Sequence, residues 1–217
     1  MEIARLYRDA QRSFVELART LDDDEWATDV PCCPGWVVRD VLSHAVGVTI
    51  DVAEGNIEGA ATDPWTAAQV ERWRDVPVGE LLERWDATID PVADALEAFG
   101  EPRPPIDCHT HEHDVRHALG RPGDRDSELV RTVAELFGAR PIGRRVAVTF
   151  DDGATSTIPG DGASVELAGV NSFEFARSRL GRRTPDQVRS WSWSEPLTDD
   201  ELAAWFVFGP AVAPIEE

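Results

Sequence analysis

The sequence of 217 residues predicts an α+β protein, with a helical N-terminal domain over residues 1–140 and a smaller α+β domain over 141–217. Two observations carry this. Before residue 120, apolar residues recur at helical spacing through four main segments joined by short breaks, the pattern of an antiparallel bundle. From Arg144 onward the pattern changes to period two, the mark of strands with one buried face.

Each element follows in order. Ile3, Leu6, Tyr7, Ala10, Phe14, Leu17 and Leu21 form the apolar stripe of a first helix, which the acidic run Asp22, Asp23, Asp24 is expected to end. The loop PCCPGW follows. A second helix starts near Trp36 and sets Val37, Val41, His44, Ala45 and Val48 on one stripe. A short helix is expected over 67–73, and a longer one over 78–99 with Leu81, Leu82, Trp85, Ile89, Val92 and Leu96 inward. After the break EPRPP, the fourth main helix covers 106–119 and stops at Gly120, with Pro122 just beyond. In the C-terminal part, RRVAVTF, a turn at Asp151, Asp152 and Gly153, then ATSTIPG and ASVELAG read as strands. Helices over 172–180 and 185–191 precede an apolar tail, AAWFVFGPA, and Trp191 and Trp193 share one face of an edge strand or ordered tail.

Composition narrows the function. Formal charge is −20, from 41 acidic and 21 basic residues, so phosphate backbones and anionic lipids are repelled and neither nucleic acid nor membrane is an expected partner. Every basic residue is Arg, which reflects codon usage more than mechanism. The three cysteines lack metal-type CxxC spacing and are odd in number, which suits a reducing cytoplasm. The N-terminus is charged throughout, and no apolar stretch reaches bilayer length.

Residues 107–117, DCHTHEHDVRH, hold four of the five histidines. On a helical wheel Asp107, Cys108, His111, Val115, Ala118 and Leu119 share one broad face, while His109, Glu112, His113, Arg116 and His117 fall on the opposite, polar side. Asp107 and His111 are four residues apart and so lie one above the other, and His44 sits in the apolar stripe of its own helix. Buried polar groups require partners, and a shared divalent ion would satisfy all three. Two imidazoles and one carboxylate leave an open coordination position, as catalytic sites do. Ordinary hydrogen bonding would also satisfy them, and His109 with His113 is a rival ligand pair at the same spacing.

Other chemistries have weaker support. There is no HExxH, no HxHxDH, no GxSxG, no P-loop and no GxGxxG. Cys108 points inward near the proposed ion and reads as a small buried filler rather than a nucleophile. Cys32 and Cys33, between Pro31 and Pro34, read as small loop residues.

Three segments together resemble one family. PCCPGWVVRDVLSHAVG is similar to the entry loop and second helix of the mycothiol-dependent maleylpyruvate isomerase family, a branch of the DinB-like four-helix metalloenzymes in which that helix histidine binds zinc. DCHTHEHDVRHALGRPG resembles the later helix, where a carboxylate and a histidine four residues on complete the site. VELAGVNSFEFARSRLGRRTPDQVRSWSW resembles the family's C-terminal domain, akin to sterol carrier protein. The resemblance implies that His44, Asp107 and His111 are the metal ligands, with Asp107 standing where the characterised isomerase has Glu.

It also implies a mechanism. A divalent ion, zinc by preference, would ionise the thiol of mycothiol, the sugar-cysteine of actinobacteria. The thiolate would add to a cis alkene and leave after rotation, or displace a group from a small-molecule substrate as a thiol S-transferase. Arg182 and Arg183, in the LGRR turn, are candidates for binding an acidic substrate or the thiol, against the plainer reading of a solvated helix end. Two alternatives use the same scaffold. One is a metal-dependent hydrolase, for which Asp114 is the nearest general base, and the other is a non-catalytic binding or regulatory protein.

Overall fold

The first helix, α1 (Ile3–Ala18), forms because its apolar residues fall on one stripe, and Ile3, Leu6, Tyr7, Phe14 and Leu17 are all buried. In the computed structural model, which describes residues 2–123 and 125–217, α1 ends sooner than the stripe suggests. The acidic run opens a new turn instead of closing the old one. Asp22 caps α2 (Asp23–Trp26) by accepting from the Glu25 amide, while the Glu25 side chain accepts from the Asp22 amide. This reciprocal arrangement makes acidic residues favourable at a helix start.

Next come α3 (Val38–Glu54), α4 (Asp63–Trp73), α5 (Val78–Phe99) and α6 (Arg103–Ala118). The last begins three residues before the expected start, because Pro104 and Pro105 fit its first turn, where their missing amides are not needed. α1 packs on α5 and α6, and α3 packs on α4, α5 and α6. Phe14 and Trp85 meet edge to face at 5.7 Å in the core. The buried Thr49 hydroxyl lies 2.6 Å from the Tyr7 hydroxyl and accepts from Trp85 Nε1 at 2.8 Å, so both aromatic handles are satisfied.

The chain divides into two compact units, Met1–Gly123 and Asp124–Glu217. The boundary expected at 140/141 lies further along the chain. The cause is a helix that the sequence reading passed over, α7 (Glu128–Gly138), capped by Ser127 and burying Leu129, Val130, Val133 and Ala134. It packs on elements of the second unit, so the break falls earlier, after Pro122 and Gly123.

The second unit continues with β1 (Arg144–Phe150), β2 (Thr155–Ile158) and β3 (Asp161–Val170), then α8 (Ser172–Arg179), α9 (Pro185–Arg189), β4 (Ser192–Trp193) and α10 (Asp199–Trp205). The sheet order is β2-β1-β3-β4. β1 pairs antiparallel with β2 and parallel with β3, and β4 lies antiparallel on the β3 edge. To reach the far side of β1, the chain between β2 and β3 crosses the start of β1, where a Cβ on Gly160 would stand 2.3 Å from the Arg144 carbonyl carbon. Only glycine allows that approach. The apolar tail is helical where Thr198 caps it, and the helix sets Trp205 at the centre of the unit's core. Trp191 and Trp193 both meet the Trp205 ring edge-on, at 6.0 and 5.5 Å. Helices with one small mixed sheet make this an α+β protein. Among the described residues no helix is long and apolar enough to cross a membrane.

Candidate metal centre

Three elements of the first unit converge on one carboxylate. α3 supplies His44, α6 supplies Asp107 and His111, and the loop between α2 and α3 lays Trp36 beside them. His44 Nε2 lies 3.3 Å from Asp107 Oδ2, and His111 Nε2 lies 3.6 Å from Asp107 Oδ1. The two imidazoles meet edge to face at 4.9 Å. One donor atom from each of the three residues falls within 4.8 Å of the others. The Trp36 ring stands 5.4 Å from His44 and 6.2 Å from His111, walling both imidazoles on one side.

The outward nitrogens are as informative as the inward ones. His44 Nδ1 is 2.7 Å from Gln69 Oε1, while Gln69 Nε2 donates to Asp51 Oδ2 at 2.8 Å. A carboxylate only accepts, so the network assigns the Gln69 amide with its oxygen toward His44, and the proton of a neutral His44 to Nδ1. Asp51 is itself fully buried and held by Arg72 at 2.6 Å and Asn56 at 3.0 Å. On the other side, His111 Nδ1 lies 3.0 Å from Asp114 Oδ2. Both rings therefore turn an Nε2 lone pair toward Asp107, and acceptors facing acceptors at these distances require a proton or a cation between them.

Gln69 reaches His44 only because α4 approaches α3 closely. A Cβ on Gly47 would stand 2.7 Å from the Gln69 Cβ. A short sequence helix with a weak apolar stripe gave no signal for Gln69, and neither its link to His44 nor that of Trp36 was anticipated. An interior glycine at position 47, one turn after His44, is the one trace of that contact in the sequence.

The wheel reading of α6 is half right. Asp107 and His111 do share a face with buried Cys108 and Val115, and burial pushes the Cys108 thiol well above its ordinary value, with Glu112 and Asp107 adding to the rise. Cys108 thus stays protonated and acts as a filler. The opposite side, however, is not solvated: His109, Glu112 and His113 are all buried. α1 packs there, with Ser13 donating to Glu112 at 2.6 Å and Arg116 pairing with the same oxygen at 2.7 Å. His109 and His113 stack edge-on at 4.5 Å. They remain outside the His44 group.

Two further candidates change character. Asp114 is fully buried behind His111, where its Oδ2 also accepts from Cys33 Sγ at 3.3 Å, so it orients a ring instead of facing the Asp107 side. Arg183 is 1% exposed, which removes the solvated helix-end reading. Its guanidinium donates to both Glu174 oxygens at 2.7 and 2.8 Å, to Glu217 at 2.9 Å and to the Arg182 carbonyl at 2.6 Å. Those bonds hold the second unit together. Arg182 donates to the Leu180 carbonyl at 2.7 Å.

A helical unit that gathers two imidazoles on one carboxylate, followed by a small α+β unit, defines a class of histidine-carboxylate centre proteins. Residues 7–121 match the family model of the mycothiol maleylpyruvate isomerase N-terminal domain, and the chain belongs to that family. Two solved structures resemble it in fold, the crystal structures of the mycothiol-dependent maleylpyruvate isomerase and of a histidine-to-alanine variant of that enzyme. Each has a TM-score of 0.53 at 13% identity, covering 92% of this chain and 94% of that chain. No curated protein sequence matches.

Proposed function

We propose that this chain is a metal-dependent enzyme that uses a low-molecular-weight thiol, mycothiol, in a maleylpyruvate isomerase-like cis/trans isomerisation or a thiol S-transfer. On this reading α1, α3, α5 and α6 form a DinB-like four-helix arrangement, and the second unit is sterol-carrier-like. His44, Asp107 and His111 are the ligands of one divalent ion, zinc by preference. The observation that carries the reading is the pair of Nε2 lone pairs held against the two oxygens of Asp107. Their separations of 3.3 and 3.6 Å bracket the edge of about 3.4 Å between nitrogen and oxygen ligands in a tetrahedral zinc site. The family and the shared fold support it.

A bound ion would lower the pKa of a thiol taking its open position, supplying a nucleophilic thiolate at neutral pH. The chain's own residues prepare that position. Gln69 and Asp114 fix the two imidazole orientations, Asp107 neutralises half of the ion's charge, and Trp36 keeps water from one side of the ligand set. Cys32, Cys33 and Cys108, none of them in a disulfide, suit a reducing, cytoplasmic setting.

Calorimetric titration of the zinc-loaded protein with mycothiol tests this. Binding is expected with release of one proton per thiol, read from buffers of different ionisation enthalpy, and is expected to weaken as pH falls. Absence of binding at millimolar thiol would remove the thiol chemistry and leave water-based hydrolysis or a non-catalytic role.

A further inference from the structure

His111 has a second set of neighbours. On the side away from Asp107, its Nδ1 lies 3.7 Å from Cys33 Sγ and 3.0 Å from Asp114 Oδ2, and Cys33 Sγ lies 3.3 Å from that same oxygen. Sulfur, nitrogen and oxygen donors thus sit at the corners of one small triangle, with one ligand atom from each residue within 4.8 Å of the others. With metal bonds of about 2.3 Å to sulfur and about 2.0–2.2 Å to nitrogen and oxygen, tetrahedral geometry sets S–N and S–O edges near 3.5 Å and an N–O edge near 3.4 Å. Each observed edge is within about 0.4 Å of those values.

We propose that Cys33, Asp114 and Nδ1 of His111 form a second cation position, selective for a thiophilic divalent ion such as zinc, cobalt or cadmium. A thiolate and a carboxylate balance the charge of such an ion, and the sulfur sets the preference against magnesium and calcium. The turn carrying Cys33 is held by bonds of its own. Cys33 donates its amide to the Val30 carbonyl at 2.9 Å, and its carbonyl accepts from the Trp36 amide at 3.0 Å. Cys33 is half-buried, so an ion has a way in, whereas Asp114 is sealed behind it.

The two positions share one ring. A neutral imidazole has a single lone pair, so His111 serves Asp107 through Nε2 or Cys33 through Nδ1, but not both. Filling the second position sends the Cys33 proton to solvent and moves the single His111 proton from Nδ1 to Nε2. An ion at Cys33 therefore draws His111 away from the first position, which makes the second one inhibitory for the function proposed above. It does not depend on that function, since no added thiol or substrate enters the geometry.

The test uses metal-stripped full-length protein, free of added thiol, titrated with Co²⁺. In His44→Ala, where the first position is crippled, one Co²⁺ per chain is expected, with a sulfur-to-cobalt charge-transfer absorption. Adding Cys33→Ser should abolish that absorption, adding Cys32→Ser should preserve it, and adding Asp114→Asn should weaken binding at least tenfold. Pre-loading wild type with one equivalent of zinc should suppress the absorption. Cys33→Ser alone should still retain one zinc, with unchanged helical circular dichroism as the folding control. No absorption in His44→Ala, or absorption surviving Cys33→Ser, overturns the proposal. Loss of zinc from Cys33→Ser alone overturns it too, because that result means one mixed site.

Discussion

Gln69 decides which nitrogen of His44 turns toward Asp107. Its amide is sandwiched between a ring nitrogen and a buried carboxylate, so removing it frees His44 to rotate or change tautomer and leaves Asp51 short of a donor. Gln69→Leu is expected to weaken zinc binding about 10–100-fold, measured by competition with a chromophoric chelator. His44→Ala, in a Cys33→Ser background that removes the second position, and His111→Ala should abolish zinc retention in elemental analysis. His113→Ala should keep it, since His113 stacks on His109 outside the Asp107 group; equal loss there would refute the ligand assignment. That Asp107 and His111 share a face was legible because spacing of four on a helix is a geometric fact, and His44 lies in the apolar stripe of its own helix. Gln69, Trp36 and Cys33 were not, because their contacts depend on how a short helix and a turn dock, which periodicity does not encode.

At the scale of elements, the second unit turns on a buried ionic knot joining α8 and the turn before α9 to Glu217. Glu217 pairs with Arg177 at 2.7 Å and Arg183 at 2.9 Å, with all three side chains at most 4% exposed. Burial opposes ionisation of Glu217, but the two guanidinium groups outweigh it and hold the carboxyl below the usual carboxylate range. A carboxyl with a lowered folded value contributes fully above its unfolded pKa of about 4.3 and loses that contribution as pH falls through the folded value. Glu217→Gln should destabilise the unit by about 3–5 kcal/mol at pH 7, because two buried cations lose their shared partner. Below pH 4 its urea-unfolding stability should fall less steeply than wild type, by up to one proton's worth of slope. α8 and α9 were readable here, whereas α7 was passed over despite its apolar stripe. The helices set by caps, as α2 and α10 are by Asp22 and Thr198, gave no period to read in four and seven residues.

Over the whole molecule, every donor in the proposed metal chemistry lies in Met1–Gly123 and none in Asp124–Glu217. Zinc loading should therefore slow amide hydrogen exchange in α3 and α6 while leaving β1 and β3 unchanged. Chelation should lower the melting temperature yet spare helical circular dichroism, since the core around Phe14 and Trp85 is complete without an ion. Collapse of helicity on chelation would make the centre a structural one. The overall class was visible in the switch from period 3.6 to period two, whereas the boundary was displaced because α7 is a helix that belongs with the sheet.

The glycine crossing at the start of β1 bears on the order in which the chain assembles. Parallel strands ordinarily wait for a long crossover, but here β2 itself is the crossover, so Val146 finds Val165 and Val148 finds Leu167 over short stretches of chain. Pairings this local lose little loop entropy and form early. The first unit has no such shortcut, since Ser13 must meet Glu112 across nearly its full length. During synthesis its last helix emerges only after all its partners, so the gathering of His44 and His111 on Asp107 is among the final things the first unit acquires. The sheet that follows can close soon after its own strands appear.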